Sequence, residues 1–420
     1  MKGIYSLLCD FFSWAVRFEG RKFLALGEGV DDSLLVPSPE RGNPALYIHI
    51  PFCKQLCPYC SFNRFPYHED KVRRYFRSLR RELDFYLERG FRFSSFYFGG
   101  GTPTVQMDEL ISFFDYLHAR LPVEEISLET NPRDITPKNV KILKDLGVKR
   151  LSMGVQSFDD RMLRVMGRLS HTGAEAVEKV RLAQGQFDTF NIDLLYNFPS
   201  QSLEQFHRDI LWVKELGVDQ VTFYPLMPAP KKRELMERRF SRVDTARERR
   251  FYDLILEEIY HDGYHPSTVW CFSRGERMID EYIIDYEDYI AIGSGSVGLY
   301  EGLFYVNSFS LENYNQMVSE GRLPIVMSRI LPRRDLLRYY LLTKLFGMKI
   351  DKEAHRRRFG RGIHRDLGLD LALFRLLGIV KEDERWVRVT ERGMYFVSGM
   401  MREFFTALNR LREYCMVGGI

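Results

Sequence analysis

Cys53, Cys57 and Cys60 fall within eight residues, in the spacing C-x3-C-x2-C, directly after the apolar run LYIHI. A loop that wraps back on itself can turn three thiolates onto one soft metal centre. A structural zinc site asks for four ligands, and no neighbouring residue clearly supplies the fourth. An iron-sulfur cube gripped by three cysteines instead keeps one iron open for a substrate, much as a catalytic zinc keeps an open position. The incomplete ligand set is therefore the informative feature. Its competitors are cysteines buried as small hydrophobes and a zinc knuckle completed from a distance.

Such a loop needs a rigid support, and the chain offers a repeating one. Short β-rich runs at 46–50, 95–98, 125–129, 150–155, 190–195 and 220–224 alternate with helix-length stretches such as 70–88 and 137–146. That alternation predicts an α/β protein of β/α units around a parallel sheet. Six units make a partial (β/α)6 barrel of the TIM type, open on one side where eight would close it. In such sheets the chemistry sits at the C-terminal strand ends. The predicted ends are polar or glycine-rich: Gly99, Gly100, Gly101, Thr102 and Pro103 after the second strand, Glu129, Thr130 and Asn131 after the third, Gln156 after the fourth, and Asp193 within the fifth. One polar residue in such a place is easily structural, whereas recurrence at successive ends points to a ligand. Glycines there let backbone amides approach its polar groups.

The cysteine spacing, with Tyr59 as the aromatic residue before the last cysteine, resembles the signature of the radical S-adenosylmethionine (SAM) enzymes. The flanking YIHIPFC and CPYCSFNRF, together with GVQSF and IAIGSGS, are similar to the branch that includes oxygen-independent coproporphyrinogen III oxidase, a related heme chaperone and class C radical SAM methyltransferases. The resemblance spans roughly residues 47–300 and implies a 4Fe-4S cluster on Cys53, Cys57 and Cys60. It also implies SAM contacts from Tyr47, Gly100, Gly101 and Thr102 to the methionine part, and from Glu129, Gln156, Arg168 and Asp193 to ribose, carboxylate and second-ligand groups. Tyr59 and the backbone near Met227 and Val297 would complete the nucleoside pocket. In the class C methyltransferases two SAM molecules sit together.

One departure bears on the activity. The coproporphyrinogen oxidase pattern carries a further cysteine where this chain has Phe62; the heme chaperone shares a phenylalanine there, but its HN-x-x-YW motif is missing, with only His265 and Trp270 in HPSTVWCF as a poor substitute. The resemblance therefore leads to a class C methyltransferase of the menaquinone C8 type as the first expectation. A coproporphyrinogen dehydrogenase and a heme-binding chaperone are the alternatives. Menaquinone and a low-potential donor such as flavodoxin or ferredoxin are the expected partners.

The whole chain fits that frame. Its 61 basic and 57 acidic residues nearly balance, so no global field argues for nucleic acid. Cys9, Cys271 and Cys415 lie far apart and give no disulfide framework, as expected of a reducing cytoplasmic location. Residues 1–43 read as an amphipathic extension, in which Ile4, Leu7, Phe11 and Trp14 recur at helical spacing. Packing on the protein body is the plainer expectation for residues 1–20. A peripheral membrane contact is the sharper one, called for by a lipid substrate. Residues 44–305 form the predicted barrel, 306–330 a connector, and 331–420 a small helical domain with a winged-helix-like hairpin. In that domain the run Arg356, Arg357, Arg358 reads as a solvated face or a clamp for an acidic substrate.

Overall fold

The six predicted strands are runs of large apolar residues because the sheet they build is covered on both faces. The computed structural model describes residues 16–20, 22–28, 32–38, 42–93, 95–240, 244–275 and 282–419. In it the strands are β1 (Ala45–Ile50), β2 (Ser95–Gly100), β3 (Glu125–Thr130), β4 (Arg150–Gln156), β5 (Thr189–Tyr196) and β6 (Gln220–Pro225). They lie side by side in chain order and all run parallel. Register puts Ile50 opposite Gly100 and Gly154 opposite Asp193, so the predicted ligand-facing ends come together along one rim. The intervening helices carry local start and stop signals. Ser202 and Gln205 form a capping box at the start of Leu203–Leu216, and Gly217 ends that helix in left-handed backbone.

The sheet continues past both edges of the six strands. Tyr289–Ile292 pairs parallel with β1, followed outward by antiparallel Val297–Tyr300, Leu303–Asn307, Ile325–Ile330 and Gly27–Glu28. Beyond β6 lie Cys271–Ser273 and His265–Pro266, which gives thirteen strands in one sheet among the described residues. The stretch 306–330, expected as a connector, thus contains the helix Leu311–Ser319 and a strand of the main sheet. The HPSTVWCF region is part of the edge hairpin. His265 is exposed there, while Trp270 is buried against Phe346 and donates to Ser398 Oγ at 2.8 Å.

The C-terminal part runs helix Arg333–Phe346, strand Lys349–Asp351, helices Lys352–Phe359 and Ile363–Leu376, then a hairpin of Val380–Glu382 and Trp386–Val389. Its three strands form a separate small sheet, one more strand than the hairpin read from the sequence. Leu336, Tyr339, Leu342 and Leu345 recur at helical spacing as one apolar face, but helix Arg333–Phe346 buries Leu337, Tyr340, Leu341, Thr343 and Phe346 as well, while Leu336 is only half-buried. The arginine run is split: Arg356 pairs with Glu353, Arg358 with Glu287 and Asp288, and Arg357 is exposed. The last helix, Glu391–Gly418, returns to the barrel, where Arg402 makes a buried pair with Glu248 and Asn409 Nδ2 donates to the Met227 carbonyl at 2.7 Å. It thus crosses the side of the barrel expected to be open. Phe23 stacks on Tyr339 at 5.5 Å. The amphipathic pattern of Ile4, Leu7, Phe11 and Trp14, and with it Cys9, lies outside the described residues. Among the described residues no helix is long and apolar enough to cross a membrane.

Glu82 ties the helix Glu69–Glu88 to the added strands. Its buried carboxyl accepts from the Gly293 amide at 2.8 Å, Asn307 Nδ2 at 2.7 Å and the Tyr314 hydroxyl at 2.6 Å. Burial pushes this carboxyl up to about 8, with the three donors pulling the other way. Burial pushes Asp209 up to about 7 in the same manner. A carboxyl held above its unfolded value takes up a proton on folding, so it adds stability-lowering ionisation as pH rises through the window between the two values. The thermal midpoint of the cluster-free protein is expected to fall from about pH 5 to about pH 8, and Glu82→Gln to flatten part of that slope. Equal slopes for both proteins would show that Glu82 is ionised throughout.

Candidate cofactor site

The cysteine loop leaves the end of β1 and is closed at its neck, where Phe52–Cys53 pairs in parallel with Phe65–Pro66. Inside it the Cys60 amide donates to the Cys57 carbonyl at 3.2 Å, and the Arg64 guanidinium donates to the carbonyls of Cys57 and Cys60. The glycine run of β2 stitches this loop to the sheet. Gly101 N donates to Ile50 O and Thr102 N to Phe52 O, both at 2.9 Å. Glycine is required here on two counts. A Cβ on Gly101 would stand 2.7 Å from Phe52 O, and Gly100 has φ +113° with the His49 ring 2.5 Å from where its Cβ would be.

Two of the three thiols have polar neighbours. Thr102 Oγ1 lies 3.6 Å from Cys53 Sγ, and Arg168 Nη1 lies 3.4 Å from Cys57 Sγ. Burial pushes the Cys53 thiol up to about 11. A bound metal displaces such protons, and a nearby guanidinium favours the thiolate form. Among the described residues no three His, Cys, Asp or Glu side chains converge as ligands of a single ion. The fit to a cluster therefore rests on donor chemistry: three cysteines on one stitched loop, two guanidiniums against it, and buried Nε atoms of both Arg64 and Arg168 that have no hydrogen-bond partner.

The predicted cofactor residues extend from this loop along the rim. Arg168 donates to the Asn131 side-chain oxygen and to Gly154 O at 2.6 Å, and Asn131 donates to Thr102 Oγ1 at 2.6 Å. Gly154 leaves space for both the Gln156 amide and Arg168, whose nitrogens lie 2.9 and 3.3 Å from where its Cβ would be. Gln156 itself has φ +74° at a register shift between β4 and β5, a conformation that tends to persist at functional sites. Glu129 accepts from Tyr97 Oη at 2.9 Å and from the Gly100 amide at 3.1 Å. Asp193 accepts from Ser152 Oγ at 3.1 Å and Asn191 Nδ2 at 2.7 Å. Tyr47 Oη meets His49 Nδ1 at 2.9 Å. Tyr59 packs edge-on to Phe198 in an apolar patch with Met162 and Met166. The Met227 backbone is drawn to the loop, since its carbonyl accepts from Ser61 Oγ at 3.5 Å and Ser61 Oγ accepts from Ala229 N at 2.9 Å, while Asn409 of the last helix donates to the same carbonyl. Val297 is half-buried at the first position of its strand, beside the 293–296 turn whose Gly295 packs on Asn63.

Several residues of the site escape a reading of the sequence. His49, fully buried, bridges Tyr47 and the Asn63 carbonyl, and burial lowers its imidazole to about 4, so it is neutral near pH 7. Its place in YIHIPFC was a usable signal. Asn409 and Arg412 come from the last helix, where nothing local marks them. Arg412 lies over the exposed ring of Phe62 at 4.8 Å. Beside the cysteine loop, burial and the neighbouring Arg64 guanidinium hold the Lys232 ammonium below the usual lysine range. On the outer flank of the loop is a cavity of about 420 Å³ lined by Asn63, Arg64, Lys71, Arg74, Glu312 and Cys415, among others. The surroundings of the cysteine loop are thus rich in cations.

Residues 47–213 match the model of the radical SAM superfamily. The heme chaperone HemW of Haemophilus influenzae is 36% identical over 277 residues, 60% of this chain and 70% of that protein. The oxygen-independent coproporphyrinogen III oxidase of Helicobacter pylori strain 26695 is 24% identical over 404 residues, 89% of this chain and 87% of the relative. The fold of coproporphyrinogen III oxidase (HemN) from Escherichia coli superposes with a TM-score of 0.76 at 22% identity, covering 91% of this chain and 95% of that one. The matched span opens within β1 and takes in β2 to β5, with the cysteine loop at their C-terminal rim, and the chain belongs to the radical SAM superfamily, whose cofactors are a 4Fe-4S cluster and SAM.

Proposed function

We propose that this radical SAM enzyme holds its cluster on Cys53, Cys57 and Cys60, binds SAM along the rim from Tyr47 to Asp193, and acts on a tetrapyrrole that carries carboxylate side chains. The observation that supports the substrate class is the set of cations around the cysteine loop, Arg64, Lys232 and Arg412, with Glu413 beside Lys232 and the loop's own Lys54 paired to Asp134. Partly buried guanidinium and ammonium groups favour a multiply anionic ligand. Relatives named as a heme chaperone and a coproporphyrinogen oxidase agree with that chemistry. Phe62 weighs against the oxidase and the missing chaperone motif against the chaperone, so together they do not single out one of those two activities.

When bound, the cluster and SAM supply one-electron cleavage of a carbon-sulfur bond, and the chain's own residues bind, orient and shield. Arg168 offsets the negative charge that the thiolates bring and fixes Asn131 and Gly154. Glu129, aligned by Tyr97 and the Gly100 amide, presents acceptors suited to ribose hydroxyls, as Asp193 does two strands away. Tyr59 with Met162, Met166 and Phe198 forms an apolar wall that excludes water.

Phe62 favours a second reading, ring methylation of a naphthoquinone such as C8 of menaquinone with a second SAM, since an apolar ring here suits a flat apolar acceptor. One experiment separates the two. Anaerobic titration of the cluster-loaded protein with heme and with coproporphyrinogen III is expected to show saturable binding of at least one, weakened about tenfold or more by Lys232→Glu combined with Arg412→Glu. No saturable binding of either, together with methylated menaquinone in a host expressing the chain, would overturn the tetrapyrrole reading.

A further inference from the structure

The helix Ile363–Leu376 bends at Leu367 (φ −132°, ψ 21°), and the turns after the bend carry leucine on two faces. Leu371 and Phe374 point into the small domain and are buried. Leu369, Leu373 and Leu376, spaced four and three apart, form an outer stripe that is 89%, 39% and 83% exposed. Single exposed leucines are ordinary, but an unpartnered stripe of them on one helix marks a contact surface. The segment leading into it carries Arg357, Arg361 and Arg365. All three are exposed, and none has an ion-pair partner among the described residues. Asp370 is the one exposed acid inside the stripe.

This helix precedes the hairpin, the place where a winged-helix protein that reads nucleic acid would set polar side chains toward base edges. Leucines cannot do that. Three leucines also present on the order of 400 Å², about half of what each partner in a stable protein interface buries. An interfacial bilayer contact asks for less: a few inserted apolar side chains and cations that meet anionic headgroups.

We propose that this helix is a lipid-facing edge of the protein, with Leu369, Leu373 and Leu376 entering the headgroup boundary of an anionic bilayer and Arg357, Arg361 and Arg365 meeting its phosphates. The contact is independent of the substrate. It is tested by sedimenting the full chain with vesicles of phosphatidylcholine alone and with added phosphatidylglycerol. The chain is expected to pellet with the anionic vesicles. Leu369→Asp combined with Leu376→Asp should lower the partition about tenfold or more. Arg361→Glu combined with Arg365→Glu should remove the dependence on phosphatidylglycerol. The thermal midpoint of both variants should match that of the parent, since these side chains are exposed.

Failure of the parent chain to bind anionic vesicles would overturn the proposal. So would leucine variants that bind as the parent does while deletion of residues 1–15 abolishes binding. A parent dimer that the leucine substitutions convert to monomer, without any vesicle binding, would assign the stripe to a second copy of the chain instead.

Discussion

Cys57→Ala is expected to yield a folded protein that assembles no stable cluster and cleaves no SAM. Cys57 is the buried member of the three and the one beside Arg168. Removing its sulfur leaves two thiols for a centre that needs three and strands the Arg168 guanidinium without its anionic neighbour. Loss of an outer-shell partner commonly lowers metal affinity by about 10- to 100-fold, and loss of a ligand should exceed that. Iron and sulfide per chain after anaerobic reconstitution, and 5'-deoxyadenosine formed with dithionite, are the two readouts. Cys415→Ala is the control: that thiol is also buried and borders the flank cavity, but its sulfur lies 3.8 Å from Met327 Sδ and belongs to no ligand set, so the change should alter neither readout. Parent-like iron content in Cys57→Ala would remove Cys57 from the ligand set.

Much of this arrangement could be read in the sequence, and the parts that could not share a cause. The six parallel strands are legible because burial on both faces leaves continuous apolar runs, ended by glycine or polar residues at the rim. The cysteine loop and the polar strand ends are legible because each is local, a few residues fixed by spacing. The outer strands are less so. Glu301 and Gly302, at φ +46° and +85°, do form a two-residue hairpin turn between Val297–Tyr300 and Leu303–Asn307, a signal present in YEGLFY. That these strands then extend the barrel sheet is decided by long-range pairing. The same holds at the site. Asn409 reaches Met227 across 182 residues of chain, and Arg412 reaches Phe62 from the same helix, so no window of sequence contains either contact. The sequence from Arg392 onward reads simply as a last helix, and only its docking makes it part of the site.

Gly101→Ala should be highly damaging for a change of a single methyl group. The added Cβ would stand 2.7 Å from Phe52 O, 2.8 Å from Phe52 N and 2.9 Å from Ile50 O. All three are backbone atoms of β1 and the loop neck, so no side chain can rotate away to relieve the contact. Either β2 withdraws from β1, breaking the bonds from Gly101 N to Ile50 O and from Thr102 N to Phe52 O, or the loop neck moves and takes Cys53 from Thr102. Overpacking of this kind costs about 1–3 kcal/mol, and here the strain falls on the segment that positions the ligands. Gly99→Ala makes the comparison sharp, because its nearest contacts are the side chains of Glu129 at 2.9 Å and Tyr97 at 3.0 Å, whose outer atoms can shift. Gly101→Ala is therefore expected to lower the denaturation midpoint more than Gly99→Ala and to lose most reconstituted iron, with Gly99→Ala retaining its iron and weakening SAM binding through Glu129. Equal iron content and equal midpoints for the two variants would mean that the glycine run serves neither the loop nor the cofactor in the way its contacts indicate.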